Sequence, residues 1–197
     1  MDIKRGFVAD LSIIKKNLLL LLEAKNDEPI PGNLWYQKEL FLVSKNNKEL
    51  EEEANFEPYF WGPYSESAVM EMEELVQLGL VKKEGNKYVL TNLGKQLTAE
   101  ILKEIRKSEK EVIEDIKNFL NDLTKDELLM FTYSSYPEMI EDAVEFKQLV
   151  QKRVDIAISM YKKCKISLGK AAEIAGKSTD EMMGILLKKN LVSLEAE

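Results

Sequence analysis

The 197-residue chain is 45% hydrophobic and 32% charged, with five Pro and nine Gly, a composition that builds a packed core and excludes a disordered or fibrous protein. It has no histidine and a single cysteine, Cys164, so no internal disulfide forms, and the usual triads, the commonest general base and most zinc sites are gone. The net charge of −7 speaks against a plain DNA-binding domain, yet it is unevenly spread: residues 1–100 carry 12 Lys+Arg against 17 Asp+Glu, and residues 151–190 carry 9 against 4.

Val8, Leu11, Ile14, Leu18, Leu21 and Leu22 recur at three- and four-residue steps and predict one helix over 7–25. The apolar run Leu18–Leu22 lies between Lys15, Lys16 and Glu23. It is too short for a membrane span and wrongly flanked for a signal peptide, so a cytoplasmic protein with no membrane partner is expected. Pro29 and Pro31 break the pattern, and a second helix is predicted from Leu34 to Val43. The acidic stretch 46–57 reads as a loop or a solvated helical turn. Four aromatics follow within Tyr59–Tyr64; they could stack a base or hold a small effector, but the bulk of aromatic surface predicts core that anchors the next helix. Ser65 is a good N-cap for a helix from Glu66 to Leu78, and Gly79 ends it. Two short strand-like runs around Gly85-Asn86 then predict a β-hairpin.

The order Gly62-Pro63-Tyr64-Ser65, Leu75, Leu78-Gly79-Leu80-Val81, Tyr88-Val89-Leu90-Thr91, Gly94 resembles prokaryotic winged helix-turn-helix regulators. The Gln37-Lys38-Glu39-Leu40-Phe41-Leu42 and Tyr59-Phe60-Trp61-Gly62-Pro63 runs are similar to a subset of archaeal and phage-associated winged-helix proteins. The resemblance implies a winged helix-turn-helix domain over 1–95 with the hairpin as its wing. Leu97, Ile101, Ile105, Val112, Ile116, Phe119 and Leu120 keep a helical spacing, so one long connecting helix over 96–123 is expected. Its apolar stripe either meets a second copy, making a homodimer, or packs on its own N-terminal domain.

A helical domain is expected over 124–197. Thr124 with Glu127 is a capping box, and after a turn at Pro137 a helix should run from about Glu138 to Lys163. Ser167 can cap a helix from Leu168 to Ala175, Gly176 permits a left-handed turn, and Ser178 with Glu181 forms a second capping box that starts the next helix. This spacing predicts a helix-turn-helix at 167–189, with the small Ala172 where the helices approach and Met182 and Ile185 on the packed side. Lys177 departs from the apolar residue usual after the turn glycine. The run Ile166-Ser167-Leu168-Gly169-Lys170-Ala171-Ala172-Glu173-Ile174-Ala175-Gly176, within residues 153–191, resembles a small prokaryotic antitoxin-like family of uncharacterised proteins, which implies a DNA-binding or antitoxin-type unit.

No phosphate loop, metal-ligand cluster or nucleophile–base pair is present in the sequence, so a non-enzymatic protein with no metal and no cofactor is expected; Cys164 lacks a histidine partner. The helix 66–78 has no Lys or Arg and carries Glu66, Glu71, Glu73 and Glu74, a poor surface for a polyanion. Tyr64, Ser65 and Ser67 at its start, and Lys82, Lys83 and Lys87 in the hairpin, are its candidate phosphate contacts. The C-terminal unit offers Lys165, Ser167, Lys170, Lys177, Lys188 and Lys189 around its helices, with Ser178 and Thr179 where base edges are met. The expectation is a dimeric transcriptional regulator bound to double-stranded DNA. The alternative is an antitoxin or adaptor that uses the same units on a protein partner.

Overall fold

The computed structural model describes residues 3–140 and 144–191. The chain divides into two units by contact. Unit 1 takes the chain up to Glu57 and Pro63–Asp122; unit 2 takes Pro58–Gly62 and the chain from Leu123 onward. The described residues are mainly helical, with one small antiparallel hairpin, as the periodicities predict.

Unit 1 is built around one helix whose Leu18–Leu22 run is buried on every side. After α1 (Ile3–Asp10), α2 (Ile13–Asp27) buries Leu18, Leu19, Leu21 and Leu22 almost completely, because α3, α5, α6 and α7 each lie against it. A helix surrounded by others needs no polar face. The expected single helix over 7–25 is therefore two. The break falls at Ser12, whose side chain accepts from the Lys15 N–H at 3.1 Å and caps α2.

The end of α2 leaves the helical conformation. Lys25, Asn26 and Asp27 all have left-handed backbones, with φ of 57°, 55° and 58°. Such residues cost about 1 kcal/mol each outside glycine, so neighbours must hold them. The Lys25 N–H donates to Glu114 Oε2 at 2.9 Å, Lys25 Nζ pairs with Asp122 and Glu28, and Asp27 pairs with Lys95 at 2.8 Å.

α3 (Asn33–Ser44) and α4 (Lys48–Ala54) follow. Of the two alternatives for the acidic stretch 46–57 the helical one holds, though not fully solvated: Asn47 caps α4, and Leu50 and Ala54 turn inward with no exposure. Two inward residues four apart suffice to bury one side of a two-turn helix whose other side is glutamate. α5 (Glu66–Gln77) leads through Gly79 into β1 (Val81–Glu84) and β2 (Lys87–Leu90). Val81 pairs with Leu90 and Glu84 with Lys87, leaving Gly85-Asn86 as the two-residue turn. Ile30 extends the hairpin by exchanging both backbone hydrogen bonds with Tyr88 at 3.0 Å.

The long connecting helix does not form. α6 (Asn92–Ile101) and α7 (Lys107–Leu120) are separated by a turn at residues 102–106. Both helices pack on α2. A straight helix from 92 to 120 would span about 43 Å at 1.5 Å per residue and would run off the end of α2, which spans about half of that. The turn folds the apolar stripe back, so Ile113 and Leu120 lie buried with α7 against α2 and α3.

Unit 2 holds α8 (Lys125–Ser135), a short 3₁₀ turn (Pro137–Met139), α9 (Val144–Lys162), α10 (Leu168–Ala175) and α11 (Thr179–Lys188). The helix expected from Glu138 is this 3₁₀ turn, with Pro137 at its first position, and then α9; residues 141–143 lie outside the described residues. Glu127 closes the capping box of α8 and also accepts from Ser159 Oγ at 2.7 Å and Lys163 Nζ at 2.6 Å on and after α9. Burial would raise its carboxyl, but these donors and the Thr124 N–H outweigh it and hold Glu127 below the ordinary carboxylate range.

Candidate nucleic-acid interface

The start of α5 is fixed by side chains from α3. Gln37 grips Ser65 with both ends of its amide: Nε2 donates to the Ser65 carbonyl and Oε1 accepts from the Ser65 N–H, each at 2.9 Å. Lys38 Nζ, buried beside it, donates to the Pro63 carbonyl at 2.8 Å. Burial lowers Lys38 to about 7. This clamp is the physical link between the Gln37-Lys38 run and the Pro63-Tyr64-Ser65 run.

Ser65 itself has no exposed surface. Its hydroxyl accepts from the Ala68 N–H at 3.0 Å and donates to the Ala54 carbonyl. Ser65 therefore leaves the set of candidate phosphate contacts: every polar atom is spent inside unit 1. Ser65→Ala should lower stability by about 1–3 kcal/mol, since a helix cap is lost and a buried carbonyl is orphaned. Urea denaturation checks this, and an unchanged midpoint would contradict the assigned bonds. Tyr64 is half-buried in a backbone pairing with Glu57, and Ser67 is half-buried on α5. Outward on α5 stand Glu66, Met70, Glu73 and Gln77, an acidic face. Lys15 of α2 neutralises only Glu71 and Glu74, at 2.5 Å and 2.8 Å.

In the hairpin, Lys82 pairs with Glu84 at 2.5 Å, Lys83 lies 5.4 Å from the centre of the Tyr88 ring, and Lys87 is exposed at the turn. Lys83 and Lys87 thus project cations from the tip of β1–β2.

The aromatic run corrects the expectation of burial. Tyr59, Phe60 and Trp61 keep 44%, 52% and 47% of their surface exposed. They belong to unit 2, where the Phe60 carbonyl accepts from Tyr133 Oη at 3.0 Å and Lys125 Nζ lies 4.8 Å from the Trp61 ring. The contact to α8 runs through the Phe60 carbonyl and one cation over the Trp61 ring, so about half of each residue's surface stays exposed.

α10 and α11 meet at a tight left-handed turn. Gly176 has φ of +64°, its N–H and that of Lys177 return to the last carbonyls of α10, and Lys177 N–H meets the Ala172 carbonyl at 2.9 Å. Arg153 of α9 covers the same end: Nε donates to the Ile174 carbonyl at 2.7 Å and Nη2 to the Glu173 carbonyl at 3.2 Å. A cation at a helix C-terminus also suits the helix dipole. Sequence reading missed Arg153, because a lone arginine on a helix carries no sign of a partner twenty residues on. Ala171, Ala172, Met182 and Leu186 are buried, while Ile185 is half-buried.

Around this turn, Ser167 caps α10 through the Lys170 N–H at 3.2 Å, and Ser178 closes its capping box with Glu181. Lys170 pairs with Glu173 at 2.6 Å and lies 5.6 Å from the Phe131 ring, Lys177 pairs with Glu181 at 3.8 Å, and Lys189 with Asp155 at 3.9 Å. Lys165 is half-buried; Thr179 and Lys188 are exposed. The exposed pairs are solvent-screened and weak, so these lysines remain able to exchange a carboxylate for another anion. Cys164 is exposed at the left-handed end of α9.

The family described as Uncharacterised protein family (UPF0175) matches residues 134–196. The match runs from the end of α8 through α11 and includes the Arg153 clamp and both capped helices; it covers roughly the last third of the chain. No curated protein and no solved structure matches the chain. Among the described residues no helix is long and apolar enough to cross a membrane, and no group of three His, Cys, Asp or Glu could hold a metal ion.

Proposed function

We propose that this chain is a dimeric, non-enzymatic DNA-binding regulator whose UPF0175-like segment supplies the main contact to double-stranded DNA. The observation that carries the reading is the α10–Gly176–α11 arrangement: two short capped helices, a left-handed glycine turn and alanines at the approach support a helix-turn-helix. In such a unit α11 enters the major groove by its N-terminal end. Thr179 and Asp180, both exposed there, would meet base edges, an aspartate accepting from a cytosine amino group. Lys170, Lys177, Lys188 and Lys189 would hold flanking phosphates. In unit 1 the α5–hairpin order supports a winged helix, with Lys83 and Lys87 as the wing's phosphate contacts.

The test is a fluorescence titration of the full chain against its own upstream DNA and random DNA at several salt concentrations. Affinity should fall as salt rises, and each of Lys177→Ala, Lys188→Ala and Lys189→Ala should flatten the logarithmic salt slope by about 0.9 if that lysine touches a phosphate. Absence of binding at low salt would end the reading. A second reading, an antitoxin or adaptor bound to a basic protein, is favoured by the outward glutamates of α5. Co-purification of one stoichiometric basic protein, lost in Glu66→Lys with Glu73→Lys, would support it.

A further inference from the structure

Unit 1 contains a concave cleft of about 440 Å³ between the first turns of α2, the α3–α4 turn and the α6–α7 turn. Its volume lies in the range of small-molecule sites, and its concavity suits a compact ligand rather than a flat self-complementary interface. Leu20, Val43, Ile101 and Ile113, each almost fully buried, form an apolar lining, which Val112 and Ile105 extend toward the mouth.

The charged groups at the cleft are not equivalent. Arg106 is paired with Glu109 at 3.0 Å, while Glu49 and Glu104 stand exposed at the edge, where water screens them. Lys16 is half-buried in the lining, and among the described residues it has no carboxylate within ion-pair distance. Its neighbour Lys15 goes to the other side of α2 and pairs with two glutamates. A half-buried cation in the lining of a largely apolar cleft is complementary to an amphipathic anion.

We infer that this cleft binds a small amphipathic carboxylate, with the hydrocarbon body against Leu20, Val43 and Ile113 and the carboxylate on Lys16. The site shares no residue with the proposed DNA contacts, and its occupancy is read without DNA, so it stands or falls independently of the regulator reading.

Decanoate, decanol and decyltrimethylammonium, each below its micelle concentration, serve as anionic, neutral and cationic probes for calorimetric titration of the full chain. Decanoate should bind one to one and more tightly than either other probe. Lys16→Ala should weaken decanoate about tenfold, the size of one partly solvated charged hydrogen bond, and leave decanol unchanged. Val112→Trp, which fills the mouth from a half-buried position, should abolish binding of both while the circular dichroism spectrum stays that of the parent. The inference is overturned if decyltrimethylammonium binds best, if decanoate binding survives Val112→Trp, or if no probe binds. It is also overturned if sedimentation shows a dimer that Val112→Trp dissociates, since a second copy would then cover the cleft.

Discussion

Lys117→Met should destabilise the protein by about 3–5 kcal/mol at pH 8, the cost of burying the Glu39 carboxyl, charged or forced to take up a proton, without its counter-charge. Lys117 on α7 and Glu39 on α3 are both fully buried, and neither Lys117 Nζ nor either Glu39 carboxylate oxygen has a hydrogen-bond partner among the described residues. Each is the strongest charged neighbour of the other. Burial pushes the Glu39 carboxyl up to about 7 from an ordinary value of 4.5, against the pull of Lys117, and the same burial lowers Lys117.

The variant's pH dependence has a defined sign. A carboxyl whose folded pKa lies above its unfolded one contributes its full stability below the ordinary carboxylate range and loses it as pH rises through the folded value. Without Lys117 the folded value of Glu39 climbs further. Lys117→Met should therefore be clearly less damaging at pH 5 than at pH 8. Glu39→Leu combined with Lys117→Met should recover most of the loss at both pH values, because an apolar pair of similar size carries no desolvation penalty. Urea midpoints of the three proteins at the two pH values decide it. A single variant as stable as the parent at pH 8 would place these groups outside a dry core.

Gly94→Ala is the second large effect, about 2–4 kcal/mol. A Cβ on Gly94 would stand 2.1 Å from the Leu80 carbonyl oxygen and 3.1 Å from Leu90 Cδ2. That carbonyl is backbone, and it already accepts from the Thr91 N–H at 3.0 Å and from Thr91 Oγ1 at 3.2 Å. It cannot yield without moving the base of the hairpin away from α6. Gly169→Ala in α10 is the control, for its nearest neighbour would be Ser167 Oγ at 3.9 Å. That change should leave stability unchanged or raise it by up to about 1 kcal/mol. Equal losses in the two variants would remove the close approach as the cause.

Much of the fold was readable because local chemistry marks it. Ser65, Thr124, Ser167 and Ser178 all cap the helices their positions predict, and Gly79, Gly85 and Gly176 take the left-handed conformations that end a helix or make a turn. The largest misreading comes from partners far away in sequence. The stripe from Leu97 to Leu120 keeps its period across residues 102–106, where no Pro or Gly marks the break; only the length of α2 requires it. The break at Ser12 is different, for its cap on the Lys15 N–H is local and is hidden only by the unbroken apolar period around it. The bulk of Tyr59, Phe60 and Trp61 predicts core, yet unit 2 holds them by the Phe60 carbonyl and by a lysine over the Trp61 ring and leaves about half of each residue's surface exposed. Of the candidate site, the capped turn after α10 was legible. The Arg153 clamp, the burial of Ser65 and the Glu39–Lys117 pair were not, since charge in a sequence says nothing of the dielectric it will meet.

The five residues Pro58–Gly62 carry an implication for the order of folding. They are synthesised long before the rest of unit 2, and the bond from Tyr133 to Phe60 closes a separation of 73 residues. Everything in unit 1 from Pro63 to Asp122 lies inside that closure. On a ribosome the helices of unit 1 emerge and can pack first, shortening the effective loop before unit 2 needs its borrowed segment. A chain beginning at Leu123 would lack the Phe60 carbonyl and the Trp61 ring, so the C-terminal unit inherits part of its completeness from a segment translated sixty residues earlier.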